Sequence, residues 1–221
     1  MARSGFWILL TAGLLVAGLL LLPRFLGPPR LGEAIAWTVL LYHVLLLMGA
    51  WLRSHPELFD AWLFLAPLSL FQVLPDFVLA QQFGVLVFPD LGGERIGPVP
   101  VYMAGLWVAP LLLVLWLAER VHQRSAALAL PVAALAALAV FSAAEWAARG
   151  QSLWLARNVA MFQGVAPYVL AAEAALGIVA WLVWVQVQGR ALPIKIVGAA
   201  VVSTFYTGAT VALLFASRRF L

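Results

Sequence analysis

The sequence predicts an all-α integral membrane protein: one domain, a bundle of seven transmembrane helices with a Gly/Pro-rich cap between the third and fourth. Three observations predict it. Of 221 residues, 65% are hydrophobic and 10% are charged, and the mean hydropathy is +1.04. A soluble domain carries about 25% charged and 45–50% apolar residues, so this chain has too little polar surface to cover a water-soluble globule. Seven runs approach or exceed the roughly 20 apolar residues that span a hydrocarbon core, and Pro, Gly and Arg punctuate them.

The first run covers residues 6–22 and ends at Pro23, with Gly27-Pro28-Pro29 beyond it, because proline lacks an N–H and restricts its predecessor. Its apolar stretch is too long for a signal peptide and no small-residue cleavage site follows, so it reads as an uncleaved helix. The second run, 33–52, stops before Arg53-Ser54-His55-Pro56, and the third, 59–79, holds Pro67 and Pro75. A connection over 80–100 follows, then runs at 101–118, 125–146, 166–187 and 193–216. Prolines open several of these helices, where a missing N–H costs nothing. Gly97-Pro98-Val99-Pro100-Val101-Tyr102 and Gly164-Val165-Ala166-Pro167-Tyr168-Val169 form a faint internal echo before the fourth and sixth helices; it reads either as a repeat or as chance.

Orientation is not set by charge. One side would hold Arg3, Arg53, Arg120, Arg124, Arg190 and Lys195; the other would hold Arg24, Arg30, Arg95, Arg149, Arg157, Arg218 and Arg219. Six against seven is no positive-inside bias. Twelve arginines against one lysine, with abundant Ala and Leu, point to a GC-rich prokaryotic genome and hence to a prokaryotic cytoplasmic membrane. The pI of about 10.1 rests on a net charge of only +4, scattered along the chain, so nucleic acid is not an expected partner.

Zero cysteines remove disulfides, thiolate metal sites and Cys nucleophiles. No paired-histidine or carboxylate–histidine spacing appears, so neither a metal nor a cofactor is expected. Phosphate-binding glycine loops and a Gly-x-Ser-x-Gly elbow are also missing from the sequence. Lys195 sits at a helix start, which disfavours a retinal Schiff base.

An ionisable group inside a hydrophobic span is expensive and is read as functional by default. Asp76, in Gln72-Val73-Leu74-Pro75-Asp76, shares a helix face with Gln72 and reads either as a functional acid or as a solvated helix end. Glu173 is the deepest acid; its small neighbours in Ala171-Ala172-Glu173-Ala174-Ala175 let another helix approach, so it is expected to face the bundle interior. Glu145 lies four residues before Arg149, a spacing that suits a helix-end ion pair as well as catalysis. Glu33 and Glu119 lie at helix ends. His43, mid-span, reads as hydrogen-bonded packing or as a polar neighbour of the acids. Asp76 and Glu173 are expected to point into one cavity, with Gln72, His43 and Tyr168 beside them. Trp107, Trp116, Trp181 and Trp184 are embedded in apolar spans and are candidates to line a pocket.

Two connections stand out. Residues 83–100 are too apolar for a solvated loop and too rich in Gly and Pro for a helix. Irregular backbone at membrane depth persists only packed on protein or lining a wet cavity, so this stretch is expected to be an ordered cap in which Asp90, Glu94 and Arg95 pair. Residues 148–163 carry Arg149, Gln151, Trp154, Arg157, Asn158 and Gln163 and are expected to form an amphipathic interfacial helix with Trp154 at headgroup depth.

Residues 83–110 resemble the integral-membrane carotenoid hydratases of bacteria and archaea. The counterparts are Gly84, Phe88-Pro89-Asp90, Gly97-Pro98-Val99-Pro100 and Trp107, with Gly164-Val165-Ala166-Pro167 as a second similarity. The polar turn differs from the family's, and Glu145 stands for its later acidic motif. The resemblance implies cofactor-free acid chemistry on a polyisoprenoid. A carboxylic acid protonates a double bond, aromatic faces stabilise the cation, and water or an internal double bond quenches it. On that reading the expected partners are a lipophilic isoprenoid substrate and membrane lipid. Asp76, Glu173 and Glu145 are the candidate acids; Gln72, His43, Trp107, Tyr168 and Trp181 are the candidate substrate-binding residues. The rival expectations are a small transporter or channel with an acidic path, and a non-enzymatic lipid-binding membrane protein.

Overall fold

A computed structural model describes residues 4–218; Arg3 and Arg219, counted above for orientation, lie outside the described residues. Seven helical spans cross the molecule: Gly5–Phe25, Arg30–Leu52, Pro56–Gln82, Met103–His122, Ala126–Gly150, Pro167–Val187 and Leu192–Arg218. Their outer faces carry large apolar side chains, among them Phe6, Trp37, Trp51 and Leu135, all exposed. A water-soluble protein buries such groups, whereas lipid solvates them. The chain is an all-α integral membrane protein.

Two spans are not continuous helices. In the third, α3 (Pro56–Phe71) gives way at Gln72 to a short α4 (Val73–Phe77) and then to a π-helical turn, Val78–Gln82. Pro75 causes the break. It has no N–H to donate to the carbonyl four residues back, which is that of Phe71. The freed Phe71 carbonyl accepts instead from Ser203 Oγ at 2.9 Å. In the fourth, α5 (Met103–Leu106) and α6 (Val108–His122) part at Trp107, again three residues before a proline, Pro110. The single helices expected over 59–79 and 101–118 are therefore each interrupted.

The remaining spans are unbroken: α1 (Gly5–Phe25), α2 (Arg30–Leu52), α7 (Ala126–Gly150), α8 (Pro167–Val187) and α9 (Leu192–Arg218). Here α7 runs a turn further than the sequence implies. Helices α6 to α9 pack in chain order, α1 lies along α2, and α3 lies against α9. At the α7–α8 crossing, a Cβ on Gly177 would meet Ala137 Cβ at 2.5 Å and the Ala133 carbonyl oxygen at 2.7 Å. Small residues thus let the two backbones touch, the usual basis of helix association in lipid.

The cap is ordered. Strand β1 (Leu86–Val87) pairs antiparallel with β4 (Leu155–Ala156), while β2 (Arg95–Ile96) and β3 (Val99–Pro100) form a hairpin. Arg157 N donates to the Val85 carbonyl at 2.8 Å and extends the first ladder. Gly92, at φ 78°, sits where a side chain would strike the Pro29 carbonyl, and Gly32 N donates to the Leu91 carbonyl at 2.7 Å. The cap is thereby pinned to the start of α2.

Three expectations are corrected here. Residues 151–166 form turns and β4, with no interfacial helix, because their backbone groups pair across to residues 85–87 rather than along the chain. Arg95 does not pair with Asp90 or Glu94; its guanidinium donates to the Phe88, Pro89 and Pro98 carbonyls, while Asp90 Oδ1 accepts from Gly92 N. Among the described residues no ion pair joins Glu145 to Arg149, since Glu145 Oε1 accepts from Trp154 Nε1 at 2.9 Å. The two Gly/Pro/Tyr stretches share a local course: each runs from a positive-φ glycine, Gly97 or Gly164, past an antiparallel bridge, Ile96–Val99 or Phe162–Val165, to the start of a helix.

Candidate active site

One cavity of about 390 Å³ lies in the half of the bundle nearest the cap. Three of the molecule's carboxyl groups meet on its wall. Asp76 arrives from α4, directly after the break that Pro75 imposes; Glu145 comes from the last turns of α7; Glu173 comes from the second turn of α8. All three interact electrostatically with one another. Among the described residues no Lys, Arg or His lines the cavity.

The hydrogen-bond status of Glu145 differs from that of the other two acids. Glu145 is held by Trp154, which hangs from the turn before β4. Asp76 and Glu173 are almost fully buried, at 5% and 2% exposure, and Asp76 Oδ2 and Glu173 Oε2 have no hydrogen-bond partner. The Trp107 indole lies beside the Asp76 carboxyl, yet Trp107 Nε1 also closes no hydrogen bond. Buried polar atoms are nearly always satisfied, and leaving one unsatisfied costs about 1–3 kcal/mol. Unpartnered buried atoms also occur off the cavity, at Ser69, Gln72, Tyr102, Trp116 and Trp184; the cavity is distinguished by holding the two that belong to carboxyl groups.

The other walls are apolar and aromatic. Trp107 sits at the centre of an aromatic group, its ring centroid 5.4 Å from that of Phe141 and 5.7 Å from that of Tyr206. Tyr168, in the first turn of α8, lines the cavity too. Leu86 and Ala156 of the β1–β4 ladder roof it on the cap side. Just outside, Tyr102 stands between Arg95 and Asp76; burial pushes its phenol up to about 12, with Arg95 opposing and Asp76 reinforcing.

Of the residues singled out from sequence, Asp76, Glu145, Glu173, Trp107 and Tyr168 line this cavity. Three do not. Gln72 turns the other way, its Oε1 accepting from Ser203 Oγ of α9 at 3.4 Å; the break at Gln72 itself separates its face from that of Asp76. His43 braces three helices: Nδ1 accepts from Trp62 Nε1 at 2.9 Å, and Nε2 lies 3.1 Å from the Gly105 carbonyl oxygen. Only the neutral tautomer with hydrogen on Nε2 satisfies both contacts. Trp181 packs edge-on against His122 at the far end of α8. Trp116 and Trp184 are likewise absent from the lining.

Tyr206 and Trp154 line the cavity although the sequence points to neither as a site residue, Trp154 being expected at headgroup depth. Tyr206 carries a weak signal, standing between Ser203 and Thr210 in an otherwise apolar span. Trp154 carries none, since only the fold of 151–156 turns it under the cap. Among the described residues no three His, Asp or Glu side chains stand close enough together to hold a metal ion.

Residues 73–216 match the family described as domain of unknown function DUF6989. The chain belongs to this family. The matched region starts at the break in the third span and takes in all three acids, Tyr206, Trp154 and the whole cap; α1, α2 and α3 precede it. No curated protein and no solved structure matches the chain.

Proposed function

We propose that this protein is an intramembrane acid catalyst that hydrates or cyclises a carotenoid or other polyisoprenoid lipid without a cofactor, in the cytoplasmic membrane of a prokaryote. The observation that carries this reading is the meeting of three carboxyl groups, with no cation among them, in an aromatic-walled cavity at membrane depth. Protonating an alkene requires a carboxyl group that keeps its proton near neutral pH, and an apolar site without cations favours the neutral form of an acid.

In the proposed reaction Asp76 donates. Its O–H proton passes to one carbon of a terminal C=C bond, leaving a carboxylate and a tertiary carbocation on the other carbon. The faces of Trp107 and Tyr206 stabilise that cation. In hydration, water adds through oxygen and returns one proton to the carboxylate. In cyclisation, an internal double bond attacks the cation and the ring loses a proton to the carboxylate. Either way the acid is regenerated. Glu173 is the second candidate donor, and Glu145, oriented by Trp154, is placed to hold the incoming water.

The test is expression in a host that accumulates acyclic polyenes, followed by mass analysis of the extracted lipids. Wild-type protein should yield a product that has gained one water or has the same mass with a ring. Asp76→Asn keeps size and hydrogen bonding but removes the proton; it should lower conversion by about 100-fold or more, and Glu173→Gln tests the alternative donor. Full conversion by both variants refutes the assignment. Wild-type protein that converts no polyene refutes the enzyme reading and leaves transport or lipid binding.

A further inference from the structure

We infer that the cavity is loaded sideways from the bilayer, through a mouth between α1 and α7, by the end of an elongated polyisoprenoid whose remainder stays in the lipid. The identity of the occupant rests on the function proposed above; the route does not.

The route follows from how α1 is held. Along its length α1 leans on α2: Trp7 Nε1 donates to the Leu45 carbonyl at 3.1 Å, and Gly18 abuts Thr38. It meets α6 at its other end, where Gly5 presses on the Trp116 ring. Towards the cap, α1 turns Leu15, Val16 and Leu19 to one wall of the cavity, while α7 turns Val140, Ala143 and Ala147 to another, with Pro110 and Leu113 of α6 between them. Val16 is 52% exposed although it lines the cavity, and Ala143 is exposed as well. These two residues therefore form a rim that faces lipid. The small alanines on α7 keep the gap open. The water side is roofed by the β1–β4 ladder.

The occupant follows from the two ends of this path. At the mouth everything is apolar, so a molecule must already be dissolved in hydrocarbon to arrive. At the blind end it meets Asp76 Oδ2 and Glu173 Oε2, buried and unpartnered, beside the Trp107 and Tyr206 rings. A saturated acyl chain offers those groups nothing; an alkene offers a proton acceptor and a cation the rings can face. The volume, about 390 Å³, is near the lower limit for a site enclosing a drug-sized body, roughly 300–1,000 Å³. The cavity is also confined to the cap-side part of the bundle, whereas a hydrocarbon core is about 30 Å thick. A long polyene enters by one end and trails out between α1 and α7.

The chain has no cysteine, so Leu113→Cys places a single thiol between the two walls. In phosphatidylcholine vesicles, pyrene maleimide dissolved in the bilayer should label it at least about tenfold faster than a sulfonated maleimide, because charged reagents partition poorly into hydrocarbon. Adding Ala143→Trp, or Val16→Trp should the first fail to fold, should slow the pyrene reaction by about tenfold by filling the mouth. Val201→Cys, on the exposed face of α9, should label unchanged in the plugged protein. Geranylgeraniol in the vesicles should protect Leu113→Cys, and octadecanol, a saturated alcohol, should not. Equal labelling by the sulfonated reagent, or indifference to the plug, overturns the lateral route. Equal protection by the two alcohols overturns the isoprenoid and leaves ordinary lipid as occupant. None of these readouts needs turnover, so a failed acid assignment is distinguishable from a failed route.

Discussion

Removing the carboxylate of Asp60 should unfold this protein more readily than removing the lysine it pairs with. Lys195, in the first turn of α9, is completely buried, and its Nζ lies 2.8 Å from Asp60 Oδ1 on α3. Nζ also donates to the Arg190 carbonyl, and Asp60 Oδ2 accepts from Gly189 N at 2.7 Å. One carboxylate therefore clamps the whole α8–α9 turn to α3. The two partners differ in burial: the Lys195 side chain is 1% exposed and the Asp60 side chain 28%. Asp60→Asn keeps an acceptor for Gly189 but leaves an ammonium in a closed site with one carbonyl. Breaking a buried pair from one side costs about 3–5 kcal/mol; the half-wet carboxylate and the Arg190 carbonyl put this case at about 3 kcal/mol. Lys195→Met leaves a carboxylate that water and Gly189 N solvate, a loss of about 1 kcal/mol. The double variant should resemble Lys195→Met, giving a coupling of about 3 kcal/mol. The assay is unfolding of detergent-solubilised protein by increasing SDS, followed by fluorescence of its ten tryptophans. An Asp60→Asn cost equal to or below that of Lys195→Met refutes the reasoning, because it would mean that the lysine does not depend on this carboxylate.

Two further outcomes separate packing from chemistry. Gly177→Ala should destabilise by about 1–3 kcal/mol through overpacking, since its Cβ would meet Ala137 and the Ala133 carbonyl; Gly13→Ala, with nothing within 4 Å, should be neutral or stabilise by up to about 1 kcal/mol, and the same SDS titration reads both. His43→Leu orphans the Trp62 indole N–H and the Gly105 carbonyl, costing about 1–3 kcal/mol, yet should leave substrate conversion per folded protein unchanged; a selective loss of conversion would return His43 to the site.

The seven spans were legible because each is a local fact: about 20 apolar residues in a row, closed by residues that stop helices. The breaks inside two of them were not. Pro75 and Pro110 were in plain view, but their consequence lies upstream, at Gln72 and Trp107, and depends on what takes the freed carbonyl. For Phe71 that partner is Ser203, more than a hundred residues away. The same distance effect hid the fold of 148–163. Its composition is that of an interfacial helix, and only pairing with residues 85–87 makes it a strand. In the site, burial logic brought Asp76, Glu173 and Tyr168 together, since carboxyl groups avoid lipid wherever the fold allows. Extending the same logic to Gln72 failed because it assumed one unbroken helix face.

Among the ionisable groups inside this bundle, hydrogen-bond completeness sets Asp76 and Glu173 apart from His43 and Lys195 better than depth does. His43 is mid-span, yet both of its ring nitrogens have partners. Lys195 is more buried than any of the three acids, yet it is paired and bonded. Such groups hold helices together, and natural sequences complete their partners because a half-satisfied buried network is costly. Asp76, Glu173 and Trp107 break that rule side by side, on the cavity that also receives Glu145. Nearby polar groups are engaged elsewhere: Ser203 serves Phe71 and Gln72, and Trp154 serves Glu145. An unpartnered oxygen on each of the other two carboxyl groups suits a cavity whose occupant completes or consumes what they offer. In the reaction proposed above, the chemistry then falls to Asp76 and Glu173, and Glu145, with its fixed partner, orients rather than reacts first.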